Sequence, residues 1–459
     1  MLNSFNRRFP VTLVYILFGF PFIGLGLIDS FVNSYLFFYY EVEIGLPIFI
    51  MAITFFGVRV ITLLLQPFLG FLSDRNYRFT RKLGRRFPWI LVSGSLTVSM
   101  FVLLFMLPMD SLSTYGALIF IMYLIYSFSI TTLTISLFAS LITRFRNTKE
   151  RLLLAMILRI LSGITIFISI FFIPFFINFG LLSSYQFMAI IIVIVFIACL
   201  MIGFIGIIEE KEVINSYFNP NNITKEGFLK DYVVRYRIFK NKNFLLLIIQ
   251  FIIIAIFNYL FNNVLFYYSY YVFESSIASS IIYIGYYIWL ILGILGGFLL
   301  SWFLGHLKTY IISGVLMSLS LIAITFVNSL SLAVFLMNVV GFGYGLNTIS
   351  LIPLMGDTFD DNSLTHRMRS DGFAYGTLLM FSSLGTLFSS FLSLIMLSIS
   401  GFNPSSYLQT PMALWGIRML FALIPGIIIL TGILIFTFTY DLKPQKTEII
   451  RMELKELQI

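Results

Sequence analysis

The sequence predicts an all-α protein that crosses a membrane twelve times, and three observations support this fold class. Of the 459 residues, 59% are hydrophobic and 11% are charged, which is about half the charged fraction of a typical soluble domain. The mean hydropathy is +0.99, and apolar runs of roughly 18 or more residues, the length of a membrane-spanning helix, recur along the chain. These runs lack the alternation of apolar and polar residues that a membrane β-barrel would require.

Twelve apolar segments are long enough to cross about 30 Å of hydrocarbon. The longest polar interval, 209–242, separates six of them from the other six, which predicts domains at 1–208 and 243–440 joined by a cytoplasmic linker. We expect an amphipathic helix at the membrane surface near 225–239 and a cytoplasmic tail at 441–459. The twelve spans are predicted near 11–39, 46–73, 88–108, 113–142, 152–178, 183–208, 243–271, 277–304, 309–327, 329–355, 371–400 and 412–439.

Positive charges fall in alternate loops. The chain has 29 Lys and Arg residues and a net charge of +9, and nearly all of these residues lie in the termini or in loops on one predicted side. The loops on the other side carry only the acids Glu41, Glu43, Asp110 and Glu274. Because cytoplasmic loops are enriched in Lys and Arg, the pattern predicts a multi-pass protein of the cytoplasmic membrane with both termini in the cytoplasm. We expect its basic loops to contact membrane lipids and not nucleic acid, and we expect a monomer.

Nothing in the sequence indicates an enzyme. The chain has no nucleotide-binding P-loop, no dinucleotide fingerprint and no nucleophile elbow. Its two histidines, His306 and His366, are predicted in cytoplasmic loops, and its single cysteine, Cys199, lies in an apolar run. The sequence therefore predicts no catalytic residue, no cofactor and no metal site.

The loop after the second span has a distinctive order of small, acidic and basic residues. It reads QPFLGFLSDRNYRFTRKLGRRFPW over 66–89. This order resembles the loop between helices two and three of major facilitator transporters. With its flanking Gln-Pro and Pro-Trp pairs, it is similar to the glycoside–pentoside–hexuronide:cation symporter family, which includes melibiose permease, and to the related sucrose transporters. The resemblance implies a cytoplasmic gate built on Gly70, Asp74, Arg75, Gly84, Arg85 and Arg86.

Two further stretches resemble the same family at the matching topological places. The segment 148–151, followed by Arg159 in the fifth span, resembles the family's fourth loop, and 365–372 resembles its Arg-x-acid-Gly segment before span eleven. The resemblance thus covers most of the chain. It implies the major facilitator fold, in which two six-helix bundles meet around a central site near the bilayer midplane.

This resemblance also implies a function. We expect a secondary transporter that moves a sugar or glycoside, of disaccharide size, inward by alternating access, either coupled to protons or as a facilitator. Two alternatives remain open at this point. The protein could be a facilitator or exporter of another amphipathic solute such as a drug or lipid, because the spans contain few polar groups. It could also be a membrane sensor that kept the fold without transport.

Charged residues inside spans cost roughly 2.5–3.5 kcal/mol each on insertion scales, so each needs an explanation. Asp29 lies in span one, with Asn33 on the same face, and Arg59 and Arg159 lie in spans two and five. In the family, an acid on span one and an arginine on span five hold sugar hydroxyls, which implies that Asp29 and Arg159 bind the sugar. An ungapped alignment instead puts the family's acid at Gly26, so an Asp29–Arg59 structural ion pair is the alternative.

The positions that resemble the family's sodium site carry no acid. They read Thr62 and Gln66 on span two and Thr131 and Thr134 on span four. Neutral oxygens leave no carboxylate to neutralise a cation, which argues against sodium coupling at this site. If transport is coupled, Asp29 is the expected proton carrier.

Three asparagines in the second half are candidate cavity residues, because an amide that faces lipid is costly. Asn258 and Asn262 lie one turn apart on span seven, and Asn347 lies on span ten. Each could bind the solute or form a hydrogen bond between helices. The sequence does not distinguish the two.

Overall fold

The computed structural model describes residues 11–77, 80–106, 112–178, 180–208, 214, 228–275, 277–403, 406 and 408–457. Most of these residues are helical, which confirms the all-α class. Within the described residues, eleven helices are long and apolar enough to cross a membrane. The fifth predicted span, 152–178, begins within another long helix, Thr148–Phe167, which carries the charged residues Lys149, Glu150, Arg151 and Arg159.

The twelve long helices are numbered α1–α12 in chain order. Their bounds are Val11–Phe31, Ile48–Asp74, Phe87–Met106, Leu112–Arg144, Thr148–Phe167, Leu182–Ile207, Lys242–Tyr267, Ala278–Leu304, His306–Thr325, Leu330–His366, Asp371–Ile399 and, for α12, Pro411–Arg418 with Ile424–Thr439. Several continue through π-helical turns, at Val32–Leu36 and Tyr39–Glu43 after α1, Ile168–Phe172 after α5, Tyr268–Val272 after α7 and Met419–Leu423 within α12.

The helices pack as two halves, α1–α6 and α7–α12. Within the halves the most extensive contacts are those of α1 with α6, α3 with α4, α8 with α10 and α9 with α10. Between the halves, α2 packs along α11, and α5 packs against α8 and α10. We call the end of the bundle that carries the α2–α3 and α4–α5 loops the basic end. Hydrogen bonds and ion pairs join the halves there, as described below.

Glycines allow the closest helix contacts. A Cβ atom added at Gly341 of α10 would lie 2.4 Å from the Tyr286 carbonyl oxygen of α8, and one at Gly345 would lie 2.4 Å from the Leu290 oxygen. Any larger residue would separate the two backbones. Small residues at this spacing are what lets membrane helices approach each other without a hydrophobic driving force.

The predicted end of the tenth span is wrong by about three turns. We expected it to end near 355, whereas α10 continues to His366 and ends at Arg367, whose φ of 51° is left-handed. The additional turns carry Asp357 and Asp360, which are buried. These acids remain helical and buried because cationic side chains from distant parts of the chain neutralise them. The loop placement of His306 is also wrong, because this residue is the buried first residue of α9.

A linker helix and a tail helix lie at the basic end, where the α2–α3 loop also contains a single helical turn at Thr80–Leu83. The linker helix is Phe228–Arg235, and a 3₁₀ turn at Tyr236–Lys240 follows it. Together they occupy most of the predicted amphipathic segment, 225–239. Residues 225–227 of that segment lie outside the described residues, and so does Asp110 of the α3–α4 loop. The tail helix, Pro444–Glu456, packs against α10. Its inner face is buried and consists of Thr447, Ile450 and Leu454.

Candidate functional site

Asp74, the last residue of α2, joins the two halves at the basic end. Its carboxylate is almost fully buried and accepts hydrogen bonds from the backbone amides of Gly372 (2.9 Å) and Phe373 (2.7 Å) in the first turn of α11. A carboxylate at a helix N-terminus is stabilised by unpaired amides and by the helix dipole. Arg86 and the linker residue Arg235 form ion pairs with the same carboxylate. We call this set of residues the gate.

Gly70 lies one turn before Asp74 and has no room for a side chain. An added Cβ atom would lie 2.1 Å from the carbonyl oxygen of Gly372. The contact continues away from the basic end, where a Cβ atom at Gly376 would lie 2.4 Å from the Gln66 oxygen. The closed contact between α2 and α11 therefore requires glycine on both helices.

The remaining motif residues shape the loop. Gly84 has a φ of 84°, which favours glycine. Arg85 donates to Asn76 Oδ1 at 3.1 Å, and the Arg75 guanidinium lies 4.8 Å from the ring centre of Phe228 in the linker helix. The sequence motif thus places three residues, Gly70, Asp74 and Arg86, in the contact between halves and the others beside it.

A second ionic cluster joins α5 to α10. Arg151 Nη1 lies 2.8 Å from Asp360 Oδ2 and 3.7 Å from Asp357 Oδ1, and its Nε donates to the Phe145 carbonyl. These acids lie one turn apart on one helix face. They are functional candidates that the sequence analysis missed, although their spacing opposite a basic loop was a usable signal.

The acids of this cluster also have partners in their own half. Asp357 contacts His306 (2.8 Å) and the tail-helix residue Arg451, and Asp360 contacts Arg369 (3.3 Å). Arg369 in turn binds Asp371, which accepts a hydrogen bond from Thr143 of α4 at 2.8 Å. Three arginines thus match three aspartates, which lowers the cost of burying so many charges.

Asp29 and its neighbours form a polar group in the first half. The Asp29 side chain keeps an exposed surface. Arg59 Nη2 donates to Asn33 Oδ1 at 3.1 Å, and Asn33 Nδ2 donates to the Asp29 carbonyl at 2.9 Å. Asn33 therefore lies between the acid and the arginine. Tyr123 completes the group and lies within electrostatic range of both charges.

Arg159 lies closer to the basic end. Among the described residues, its half-buried guanidinium makes no hydrogen bond or ion pair, although it is within electrostatic range of Tyr375. The Tyr375 ring stacks on Phe138 across the two halves, with ring centres 4.6 Å apart. This pair lies about one helical turn from the Thr143–Asp371 bond. We call it the Phe138–Tyr375 floor, because it lies next to the closed basic end.

Asp29 and Arg159 are at different depths. Gly19 of α1 contacts Leu161 of α5, and Gly26 contacts Thr165, which fixes the register of the two helices. Arg159 is therefore level with Gly19, and Asp29 lies about ten residues beyond that level, or about 15 Å along the axis at 1.5 Å per residue. The alternative position for the acid, Gly26, has no room for a side chain, because an added Cβ atom would lie 2.7 Å from the Thr165 side chain.

The four positions that resemble a sodium site carry neutral oxygens, and two of them are hydrogen-bonded within the protein. Thr62 Oγ1 lies 2.9 Å from Ser127 Oγ, and Thr134 donates to the Ile130 carbonyl at 2.8 Å. Thr131 is half-buried, and Gln66 Oε1 is buried with no hydrogen-bond partner among the described residues. The described residues contain no group of His, Cys, Asp or Glu that could hold a metal ion.

The three asparagines of the second half separate into two groups. Asn258 donates to the Tyr344 hydroxyl at 3.0 Å, and Asn262 accepts from Tyr283 at 3.3 Å. Asn347 instead donates to Ser313 at 3.3 Å and lines a small cavity between α7, α9, α10 and α12. Asn347 is therefore part of a polar group inside the second half and is not brought together with the other two.

Comparison with known proteins agrees with this architecture. A family model described as MFS/sugar transport protein matches residues 17–443. Among solved structures, the fold is similar to that of a fucose:proton symporter from E. coli, with a TM-score of 0.60 and 12% sequence identity over 94% of this chain and 98% of that chain. This likeness shows the fold alone, and no curated protein matches the chain. Because the family model covers α1 to the residues after α12, the chain belongs to the MFS/sugar transport protein family of membrane transporters.

Proposed function

We propose that this protein carries a sugar or glycoside of disaccharide size across the cytoplasmic membrane by alternating access, with both termini in the cytoplasm. The observation that carries the proposal is the guanidinium of Arg159, which has no hydrogen-bond or ion-pair partner among the described residues and lies above the Phe138–Tyr375 floor. An arginine inside a span is costly. A solute that accepts its hydrogen bonds removes that cost.

Asp29 and Arg159 have complementary chemistry for a sugar. A carboxylate accepts hydrogen bonds from adjacent hydroxyls, and a planar guanidinium donates to several oxygens at once. Their separation of about 15 Å along the helix axis exceeds the length of one sugar ring. An elongated solute with two rings can contact both residues, which favours a disaccharide or glycoside over a monosaccharide.

The second half supplies further polar groups. The Asn258–Tyr344 and Asn262–Tyr283 pairs lie on α7, α8 and α10, and Asn262 keeps an exposed surface. These amides can exchange their protein partners for solute hydroxyls at low cost, because a hydrogen bond is replaced by another of similar strength. Asn347 acts instead by holding α9 and α10 together.

The proposed coupling ion is a proton, carried by Asp29. No carboxylate is present at Thr62, Gln66, Thr131 or Thr134, so a cation bound there would lack a neutralising charge. Asp29 is a carboxylate with an exposed surface, and in the proposed cycle it contacts the solute. If Asp29 does not exchange a proton during transport, the protein is a facilitator.

The structure is then the outward-facing state. Basic loops face the cytoplasm, and the gate and the ionic cluster close this end. Opening it requires separation of α2 from α11 and of Arg151 from Asp360. After that separation Asp357 keeps His306 and Asp360 keeps Arg369, which belong to the same half, so both buried carboxylates stay paired.

Uptake of labelled disaccharides into proteoliposomes, with and without an imposed proton gradient, tests this function. We expect concentrative uptake by the wild type and only equilibrating uptake by Asp29→Asn, since the amide cannot carry a proton. Equilibration by both proteins would show a facilitator. Absence of uptake for every sugar in a panel would contradict the proposal and favour another amphipathic solute.

A further inference from the structure

The linker helix, Phe228–Arg235, contacts the gate with its inner face. Asp231 and Arg235 are buried on this face and lie 3.5 Å apart. Arg235 Nη1 also lies 3.2 Å from Asp74 Oδ2. Because Asp74 binds the first turn of α11 only when the basic end is closed, Arg235 stabilises the closed arrangement.

Aromatic contacts extend this inner face over both halves. The Tyr232 ring lies 5.1 Å from Phe71 of α2 and 6.0 Å from Phe373 of α11, measured between ring centres. Burial and the hydrogen bond to Tyr236 raise the pKa of Tyr232, so its hydroxyl stays neutral. The helix therefore crosses the junction of α2 and α11, and it would have to release one of them when the basic end opens.

The depth of the linker helix is given by its contacts with α2. Phe228 packs against Phe71 and Phe68, with ring centres 5.2 and 6.3 Å apart. Phe68 lies more than one turn before the end of α2 at Asp74. The linker helix thus lies beside the final turns of a membrane-spanning helix, where hydrocarbon gives way to lipid headgroups.

The outer face of the linker segment combines apolar and basic residues. Val233 on this face is 66% exposed, and Phe228 and Tyr236 keep exposed surface at its edges although their rings also pack against α2 and α11. The exposed basic residues of the segment are Lys230, Arg237 and Lys240. Exposed apolar surface next to basic residues is the pattern of helices that lie in the headgroup layer of an anionic membrane.

We propose that this outer face docks on an anionic bilayer surface, and that docking stabilises the closed basic end through Arg235 and Asp74. Lipid charge would thereby set the balance between the two states of the transporter. The inference uses the proposed function only in treating the closed basic end as one state of a cycle. It needs no knowledge of the solute.

The test measures a distance across the basic end of the full chain. Spin labels are placed at Lys82→Cys and Lys308→Cys in a Cys199→Ser background, because both lysines are exposed and lie in opposite halves. Vesicles contain phosphatidylcholine alone or mixed with phosphatidylglycerol. Phosphatidylglycerol should raise the ratio of short to long distances by about fivefold, which corresponds to about 1 kcal/mol for one interfacial charge.

Three variants separate the steps. Lys230→Gln/Arg237→Gln/Lys240→Gln should abolish the lipid response. The matched control Lys443→Gln/Lys446→Gln/Lys455→Gln removes three exposed charges from the same end and should keep it. Arg235→Gln should leave the segment on the membrane but remove the effect on the distance.

A second readout reports membrane contact directly. A label at Val233→Cys should be shielded from a water-soluble relaxation agent in anionic vesicles. A shielded label with an unchanged distance in the wild type, or equal loss of the lipid response in the linker and tail variants, would overturn the proposal. No sugar is present in these measurements, so their failure is distinct from a failure of the proposed function.

Discussion

At the scale of single residues, hydrogen-bond and ion-pair partners distinguish the residues that close the basic end from the residues of the proposed solute site. Asp74 and Arg151 are fully enclosed and bonded to the opposite half of the protein. Arg159 lies on the same helix as Arg151 but makes no hydrogen bond or ion pair among the described residues. Both arginines lie on α5, so their different roles cannot come from residue type or from the helix that carries them. Their surroundings differ: Arg151 pairs across the closed basic end, whereas we propose Arg159 as a contact of the solute.

Asp74→Asn should shift the protein away from the closed basic end. The amide removes the buried carboxylate that Arg86 and Arg235 share, although Arg235 keeps its contact with Asp231. Breaking a buried pair costs about 3–5 kcal/mol. We expect the closed population between labels at Lys82→Cys and Lys308→Cys to fall at least tenfold relative to the open one. Asp441→Asn removes an exposed acid from the same end and should change nothing. An equal effect of both substitutions would refute the role of Asp74.

Gly70→Ala tests the close approach of α2 and α11. The added Cβ atom would lie 2.1 Å from a backbone oxygen of α11, which cannot move without separating the helices. We expect at least a tenfold loss of uptake with normal membrane insertion. Gly163→Ala, in a helix interior with open space around the added atom, is the control and should keep wild-type uptake. Full activity of Gly70→Ala would show that this contact does not form during transport.

At the scale of elements, the C-terminal turns of α10 bind the first half of the protein through Arg151. Asp360 and Asp361 are adjacent, yet their partners differ. Asp360 binds Arg151 and Arg369, whereas Asp361 accepts hydrogen bonds from the amides of Asn241 and Asn243.

Asp360→Asn should therefore lower thermal stability much more than Asp361→Asn. Removal of the Asp360 charge leaves two buried arginines undercompensated, at a cost of about 3–5 kcal/mol. Removal of the Asp361 charge weakens only hydrogen bonds to neutral amides, worth about 1.5–3 kcal/mol. The melting temperatures of the two variants in detergent measure the difference. The interpretation of the cluster fails if Asp361→Asn is the less stable protein.

The sequence allowed prediction of the spans, because apolar length alone decides membrane crossing. It did not allow prediction of the end of α10, because the acids there are neutralised in part by Arg151 and Arg451, which are remote in sequence. The motif indicated that Asp74 matters. Its partners, the amides of Gly372 and Phe373, carry no side-chain signal and could be found only in the fold.

At the scale of the whole molecule, charge and packing divide the protein along its axis. The basic end holds the gate, the ionic cluster, the linker helix and the tail helix. Further along the axis are the Phe138–Tyr375 floor, then Arg159, then the Asp29 group. A solute that enters from the opposite end meets these groups in reverse order. Under the proposed function, this order lets a solute reach Asp29 and Arg159 from the opposite end while the basic end is closed.

Sugar counterflow in proteoliposomes tests the central claim most directly, because it reports transport without any driving ion. Vesicles loaded with an unlabelled disaccharide should transiently accumulate the labelled sugar from outside. Arg159→Gln should abolish this accumulation, whereas Arg418→Gln, whose arginine binds carbonyls at the other end of the second half, should retain it. Accumulation that survives Arg159→Gln, or that no sugar produces in the wild type, would contradict the account.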